Sequence, residues 1–226
     1  MSHARLAPLI LLLGCRSQVD LTELERFGRV SSALWVHWRY DDTEHDTVEL
    51  TTVNHACSRL QDWGEINAVV RKKLEKLPYN QYCSEGKDAM SALAAAGQPL
   101  YGEGASWLHL SVASGAQTKP GERTYGVGDD RNTLSGSLDY YLDDPGAAYD
   151  DWDEHGDPAD NCGVNLDRVE EAVDSYTIGG GQLTFTEVQD EDQLRGELDA
   201  HVQRRAGVQA GDITAEFRAE WCEVVY

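Results

Sequence analysis

The feature that most constrains this chain is a two-residue period near its C-terminus. Three successive runs, GGGQLTFTEV (179–188), DQLRGELDAHV (192–202) and GDITAEFRAEWC (211–222), each open on glycine or turn residues and then alternate apolar with polar side chains. A period of two sends neighbouring side chains to opposite faces of an extended strand, whereas a helix repeats every 3.6 residues. Leu183, Phe185 and Val188 share a face if a bulge falls among them, and Ile213, Ala215 and Phe217 do so in the last run. The short connections turn each strand back along its predecessor, which predicts an antiparallel meander.

The same period recurs earlier. SSALWVHWRY (31–40) places Leu34, Val36, Trp38 and Tyr40 on one face and Ala33, Trp35, His37 and Arg39 on the other. A polar turn, DDTEHD, leads into TVELTTVN (47–54), and the two runs predict a hairpin. Further strand-like runs are ASWLHLSVA, RTYGVG, NTLSGSLDYYL and RVEEAVDSYTI. Between the hairpin and these strands the period changes. WGEINAVVRKKLEKL sets Ile66, Val69, Val70, Leu74 and Leu77 at helical spacing and stops at Pro78. SEGKDAMSALAAAG predicts a second helix with Ser84 as N-cap and Gly97 as C-cap. The expected fold is mainly β (α+β): an antiparallel β-sandwich or barrel-like meander with a two-helix insertion around residues 57–96.

The N-terminus carries a different signal. LAPLILLLGC (6–15) follows His3 and Arg5, is interrupted by Pro8, and is far shorter than the roughly 20 apolar residues needed to span a bilayer. A positive start, a short apolar run and a small residue before a cleavage point form the layout of an export signal. Leu12-Leu13-Gly14-Cys15 resembles the lipobox of bacterial lipoprotein signals, with Leu13 where Ala or Ser is commoner. That resemblance implies cleavage before Cys15, acylation of its sulfur, and, with Arg16 next, delivery to the outer membrane. The expected organisation is a signal peptide over 1–14, a short tether over 15–30, and one β-rich domain over 31–226. The expected location is the cell envelope, facing the periplasm or the exterior, with membrane lipid as a partner through acylated Cys15.

The chain of 226 residues holds 19 Lys and Arg against 40 Asp and Glu, a formal net charge of -21. Such a surface repels nucleic acid and anionic lipid, so neither is an expected partner. Apart from Cys15 there are four cysteines, Cys57, Cys83, Cys162 and Cys222. An even number suits disulfides in an oxidising compartment, and no CxxC pair favours zinc or thioredoxin-like chemistry. Three pairings are possible; Cys57 with Cys83, which flank one helical segment, and Cys162 with Cys222 are preferred.

Candidate chemistry concentrates in the acidic loop 143–163, which includes DDPGAAYDDWDEHGDPADNC (143–162). Calcium takes six to eight oxygen ligands from a flexible loop, and alternate carboxylates before a glycine supply them. Asp151, Asp153, Asp157 and Asp160 are the candidate ligands for Ca2+, although His155 replaces an oxygen ligand and Cys162 stands where a loop-closing Glu belongs. The segment DPADNCG resembles the end of a thrombospondin type 3 repeat, which implies calcium as well. Trp152 in this loop is expected to be exposed, and Trp38 and Trp107 to be core. His55 and Cys57, with His37 and His109, are the only hint of a cysteine hydrolase; no catalytic residue is assigned.

Beyond the leader, NHACSRLQ, LHLSV followed by GERTYGVG, and the closing series GQLTFTEV, LRGELDAHV and DITAEFRAEWC together resemble a group of exported lipoproteins of Gram-negative bacteria. The resemblance implies a fold and a location but no reaction. The expected function is therefore that of a lipid-anchored envelope protein with a binding or structural role. Two alternatives stand beside it: a calcium-dependent adhesion or carbohydrate-binding module, and an envelope glycan hydrolase.

Overall fold

The computed structural model describes residues 18–20, 29–40, 43–117, 119–164, 166–204 and 209–226. Nine strands form one sheet: β1 (Gln18–Asp20), β2 (Ser32–Tyr40), β3 (Thr43–Thr51), β4 (Ser106–Ser114), β5 (Thr124–Gly126), β6 (Asn132–Tyr141), β7 (Val173–Gln189), β8 (Gln193–Arg204) and β9 (Gln209–Val225). Strands β2, β3, β4, β6, β7, β8 and β9 each pair antiparallel with the next, and β9 returns to pair with β2. The sheet is thus closed into a barrel. Seven strands running alternately up and down leave the first and last pointing the same way, so the closing pair, Leu34–Arg39 against Glu220–Val225, is parallel. β1, inside the stretch read as a tether, lies along Thr214–Glu216 of β9, and β5 lies against β7 at Gln182–Thr184.

The period of two builds the interior. Ile213, Ala215, Phe217 and Ala219 of β9 point inward with Leu194, Leu198, Ala200 and Val202 of β8, and Trp35, Leu108, Leu138 and Phe185 complete the core. The bulge expected in the GQLTFTEV run falls between Phe185 and Glu187. Gly196 faces two rings: a Cβ there would lie 2.6 Å from Phe217 Cζ and 3.1 Å from Phe185 Cδ1.

Between β3 and β4 come α1 (Ala56–Leu74) and α2 (Tyr82–Tyr101). They run antiparallel, since Trp63 meets Tyr101 while Leu74 meets Gly86. They cover the outer face of the barrel, where Leu34, Val36, Trp107, Cys222 and Val224 form a second core with Leu60 and Leu100. β2 is therefore buried on both faces, which explains why both of its alternating sets are rich in apolar and aromatic residues. α2 differs from the expected helix at both ends: its N-cap is Gln81, with Ser84 inside, and it runs past Gly97 and Pro99. No described helix is long and apolar enough to cross a membrane.

All four candidate cysteines are paired, but not as preferred. Cys57 bonds Cys222 and Cys83 bonds Cys162, with Cα separations of 5.7 and 5.4 Å. Cys57 and Cys83 each sit in the first turn of their helix, and antiparallel helices carry their first turns at opposite ends of the pair. Helices of 19 and 20 residues put those ends roughly 25–30 Å apart, several times the reach of a disulfide. The Cys57 bond fixes α1 to β9. The Cys83 bond fixes α2 to the acidic segment, which folds as two 3-10 turns and then α3 (Leu166–Glu171).

Candidate functional site

One end of the barrel is open. There the last residues of β2, the first of β3, the segment between β4 and β5, the β7–β8 turn and the end of β9 surround a cavity of about 860 Å3. The strand phase sets its walls. His37 and Asp46 continue the inward series of Trp35 and Val48 one step toward the rim and stand opposite each other in register. His37 Nδ1–H donates to Asp46 Oδ1 at 2.7 Å, and Asp46 is only 5% exposed. A carboxylate only accepts, so this contact fixes the imidazole tautomer and leaves Nε2 toward the cavity. Glu44 Oε2 lies 4.0 Å from that Nε2, beyond direct hydrogen-bond reach.

The floor is aromatic. The half-buried Trp221 packs edge-on against the fully buried Trp35, with ring centroids 4.7 Å apart, and the His37 ring stacks on it at 5.2 Å. Two cations of the wall are matched by carboxylates, Arg39 by Glu223 at 3.0 Å and Lys119 by Asp190, while Arg123 Nη1 donates to the neutral Ser114 Oγ at 2.9 Å. The Lys119 ammonium is held above its ordinary pKa by the hydrogen bond to Asp190, aided by the charges of Asp190, Asp46 and Glu191 against partial burial. The mouth thus offers the half-buried Trp221 ring, one imidazole nitrogen, carboxylate acceptors and guanidinium donors, and its carboxylates Glu44, Asp46, Glu191 and Glu223 outnumber its cations Arg39, Lys119 and Arg123. That set hydrogen-bonds a polar ligand and stacks on its apolar face.

A second histidine shows the contrast. Glu49, 2% exposed and on the outer face of β3, pairs with His109 Nδ1 of β4, and His109 Nε2 lies 3.4 Å from Asp139 Oδ2 of β6. Ser137 and Ser175 donate to Asp139 at 3.0 and 2.5 Å, and the Trp107 ring stacks on the imidazole. Burial opposes charge on His109, but the Glu49 carboxylate, by its charge and its hydrogen bond, and Asp139 outweigh it, so the pKa is raised. Burial and the surrounding negative charge push the Tyr101 and Tyr141 hydroxyls well above their ordinary range. Both nitrogens of His109 are committed to carboxylates, so it acts as a charged staple across three strands. His37 alone of the two keeps a nitrogen open to a cavity.

The residues singled out in sequence are dispersed. Cys15 lies outside the described residues. Asp151 pairs with Arg168 at 3.2 Å; Asp153 accepts from the His155 backbone N–H, and Asp157 from that of Ala159 and from the Tyr79 hydroxyl. The Asp160 side chain lies outside the described residues, and among those described no three His, Cys, Asp or Glu groups gather to hold a metal ion. Trp152 is 6% exposed rather than open: its Nε1 donates to the Cys83 carbonyl at 2.7 Å, and its ring fills the space left by Gly86. Trp107 is core as expected, whereas Trp38 is half-buried outside the barrel, donating to Thr47 Oγ1. Cys57 is oxidised, and His37 and His109 lie on opposite faces of the sheet, so the cysteine hydrolase arrangement does not assemble.

Asp46 and Glu49 escaped the sequence reading because Asp46 was grouped with a polar turn and Glu49 was one residue of the strand-like run TVELTTVN, with no partner in sight. One signal was available. Asp46 is in phase with Val48 and Leu50, so a carboxylate occupies an inward position, and only a partner such as His37 makes that burial tolerable. No family model, curated protein or solved structure matches the chain.

Proposed function

We propose that this chain is an exported, lipid-anchored protein of the cell envelope whose barrel binds a neutral polyhydroxy ligand, a glycan fragment, in its open mouth. The observation that carries the binding role is the mouth itself: a half-buried tryptophan beside an imidazole held by a buried carboxylate, lining a cavity of a size that suits small ligands. The wall carboxylates Glu44, Asp46, Glu191 and Glu223 outnumber its cations and disfavour anionic ligands, while carboxylates and guanidinium groups suit hydroxyls. The anchor rests on Cys15 and the residues before it, and the two disulfides suit an oxidising compartment such as the periplasm.

The test is titration of the protein with a panel of neutral disaccharides and envelope glycan fragments, read by tryptophan fluorescence. A member of the panel shifts the spectrum, Trp221→Ala weakens it at least about tenfold, and Trp38→Ala, on the outer face, leaves it unchanged. A silent panel, or a Trp221→Ala protein that binds like the parent, refutes the reading. Palmitate labelling in a Gram-negative host that persists in Cys15→Ala removes the anchor.

A further inference from the structure

The exposed face of α1 changes the sign of its charge along its second half. Asp62 lies one turn before the helix midpoint and Glu65 at it, Lys73 in its last turn and Lys76 just beyond, and midway between acids and lysines is Val69, 69% exposed. None of these four charges makes an ion pair with another described residue. Ile66 joins Val69 at one lip of a shallow groove of about 380 Å3 between α1 and α2, floored by Val70, Ala89 and Ala92. Residues 62, 66, 69 and 73 follow a spacing of four and three, the seam of a helix that packs against another helix, and Lys76 follows three residues on, just past the helix end.

The charges are arranged with a symmetry of their own. Asp62 lies seven residues before Val69 and Lys76 seven after it; Glu65 lies four before and Lys73 four after. An antiparallel copy of the same helix, related by a two-fold axis through Val69, sets each acid opposite a lysine of its mate and each valine against the other. A parallel copy sets acid on acid and lysine on lysine. A two-fold interface needs one patch that complements itself, and this face does so. The net charge of -21 opposes association in general, so a face that cancels its own charge is where two copies can meet.

We infer that the chain forms a two-fold homodimer through antiparallel pairing of α1 helices centred on Val69. The inference stands independently of the barrel mouth. The interface is small, so the dimer is weak in dilute solution and favoured where a membrane anchor concentrates the chain.

Sedimentation equilibrium over micromolar to submillimolar concentrations tests it, on the full chain carrying Cys15→Ser so that acyl chains do not intervene. The parent self-associates to a dimer. Lys73→Glu with Lys76→Glu weakens it at least about thirtyfold, as does Asp62→Lys with Glu65→Lys. Mixing these two variants restores pairing, and so does placing all four changes in one chain. In the same background Val69→Cys is captured as a dimer by a short bismaleimide, and Asp62→Cys, roughly 20 Å from its symmetry mate, is not. A parent that stays monomeric at every concentration overturns the inference. So does association indifferent to the charge reversals, which would point to the apolar leader or another face, and so does a fourfold swap that fails to restore the dimer.

Discussion

Replacing Cys57 and Cys222 together by alanine tests how the helical layer is held to the barrel. The bond spans 165 residues and joins the first turn of α1 to β9. With Cys83–Cys162 intact, the circuit it closes in the unfolded chain shortens to roughly 90 residues, for which loop entropy gives about 4.6 kcal/mol. That value is the upper end of what native disulfides of small exported domains contribute, so the expected loss is about 3–5 kcal/mol. At about 2–4 °C per kcal/mol for a chain of this size, the melting temperature falls by roughly 6–20 °C. Guanidinium unfolding followed by the fluorescence of Trp35 and Trp107, both buried, measures the loss directly. The comparison that decides is Cys57→Ala with Cys83→Ala, which removes one partner from each bond. It should be the less stable double variant, with two orphan thiols. If it is the more stable, or if Cys57→Ala with Cys222→Ala unfolds within about 1 kcal/mol of the parent, the bonding pattern and the reasoning built on it are wrong.

Three further predictions address separate parts of the fold. The pKa of His109 is raised on folding, so its pairing with Glu49 contributes stability that is complete below about pH 6.5 and is lost as pH rises through the folded-state value; Glu49→Gln should flatten that dependence, and an NMR titration placing His109 below its ordinary value sinks the explanation. Gly64→Ala puts a methyl 2.8 Å from both Val224 Cγ1 and the Val225 carbonyl oxygen, so α1 must lift from β9; despite the gain in helix propensity it should cost about 1–2 kcal/mol by denaturant titration, and a stabilised protein contradicts the close approach. Trp152→Ala empties the space above Gly86 and removes the indole N–H donated to the Cys83 carbonyl; a loss of about 3–5 kcal/mol, or early proteolysis within 143–163, is expected, and a neutral change means the ring is not packed.

How much of this was legible in the sequence depended on how local the cause was. The β8–β9 hairpin could be read directly, because one face of each strand meets water over most of its length and the period shows. β7 was harder: RVEEAVDSYTI was read as one strand-like run although its first four residues belong to α3, and the glycines at 179–181 looked like a boundary where the strand continues, with Gly181 at φ 109. The two-helix insertion was visible from its 3.6-residue spacing, but its ends were not, since α2 runs through Gly97, which faces Trp63 of α1, and continues past Pro99. The cysteine pairing depended on the helices being antiparallel, a tertiary fact. Trp152 was misjudged because its acidic neighbours dominate the local composition, while the side chain itself reaches back to α2. The mouth was half legible: each wall residue could be assigned to a strand face, but only closure of the barrel brings Trp221 and Glu223 of the last strand beside His37 and Arg39 of β2.

Peptide mapping by mass spectrometry on protein recovered from the envelope of a Gram-negative host bears most directly on the central claim, that this is an oxidised barrel moored outside the cytosol. The account predicts a first peptide beginning at diacylglyceryl-modified Cys15, and disulfide-linked peptides joining Cys57 to Cys222 and Cys83 to Cys162. A polypeptide that still begins at Met1, with its four remaining cysteines free, contradicts it.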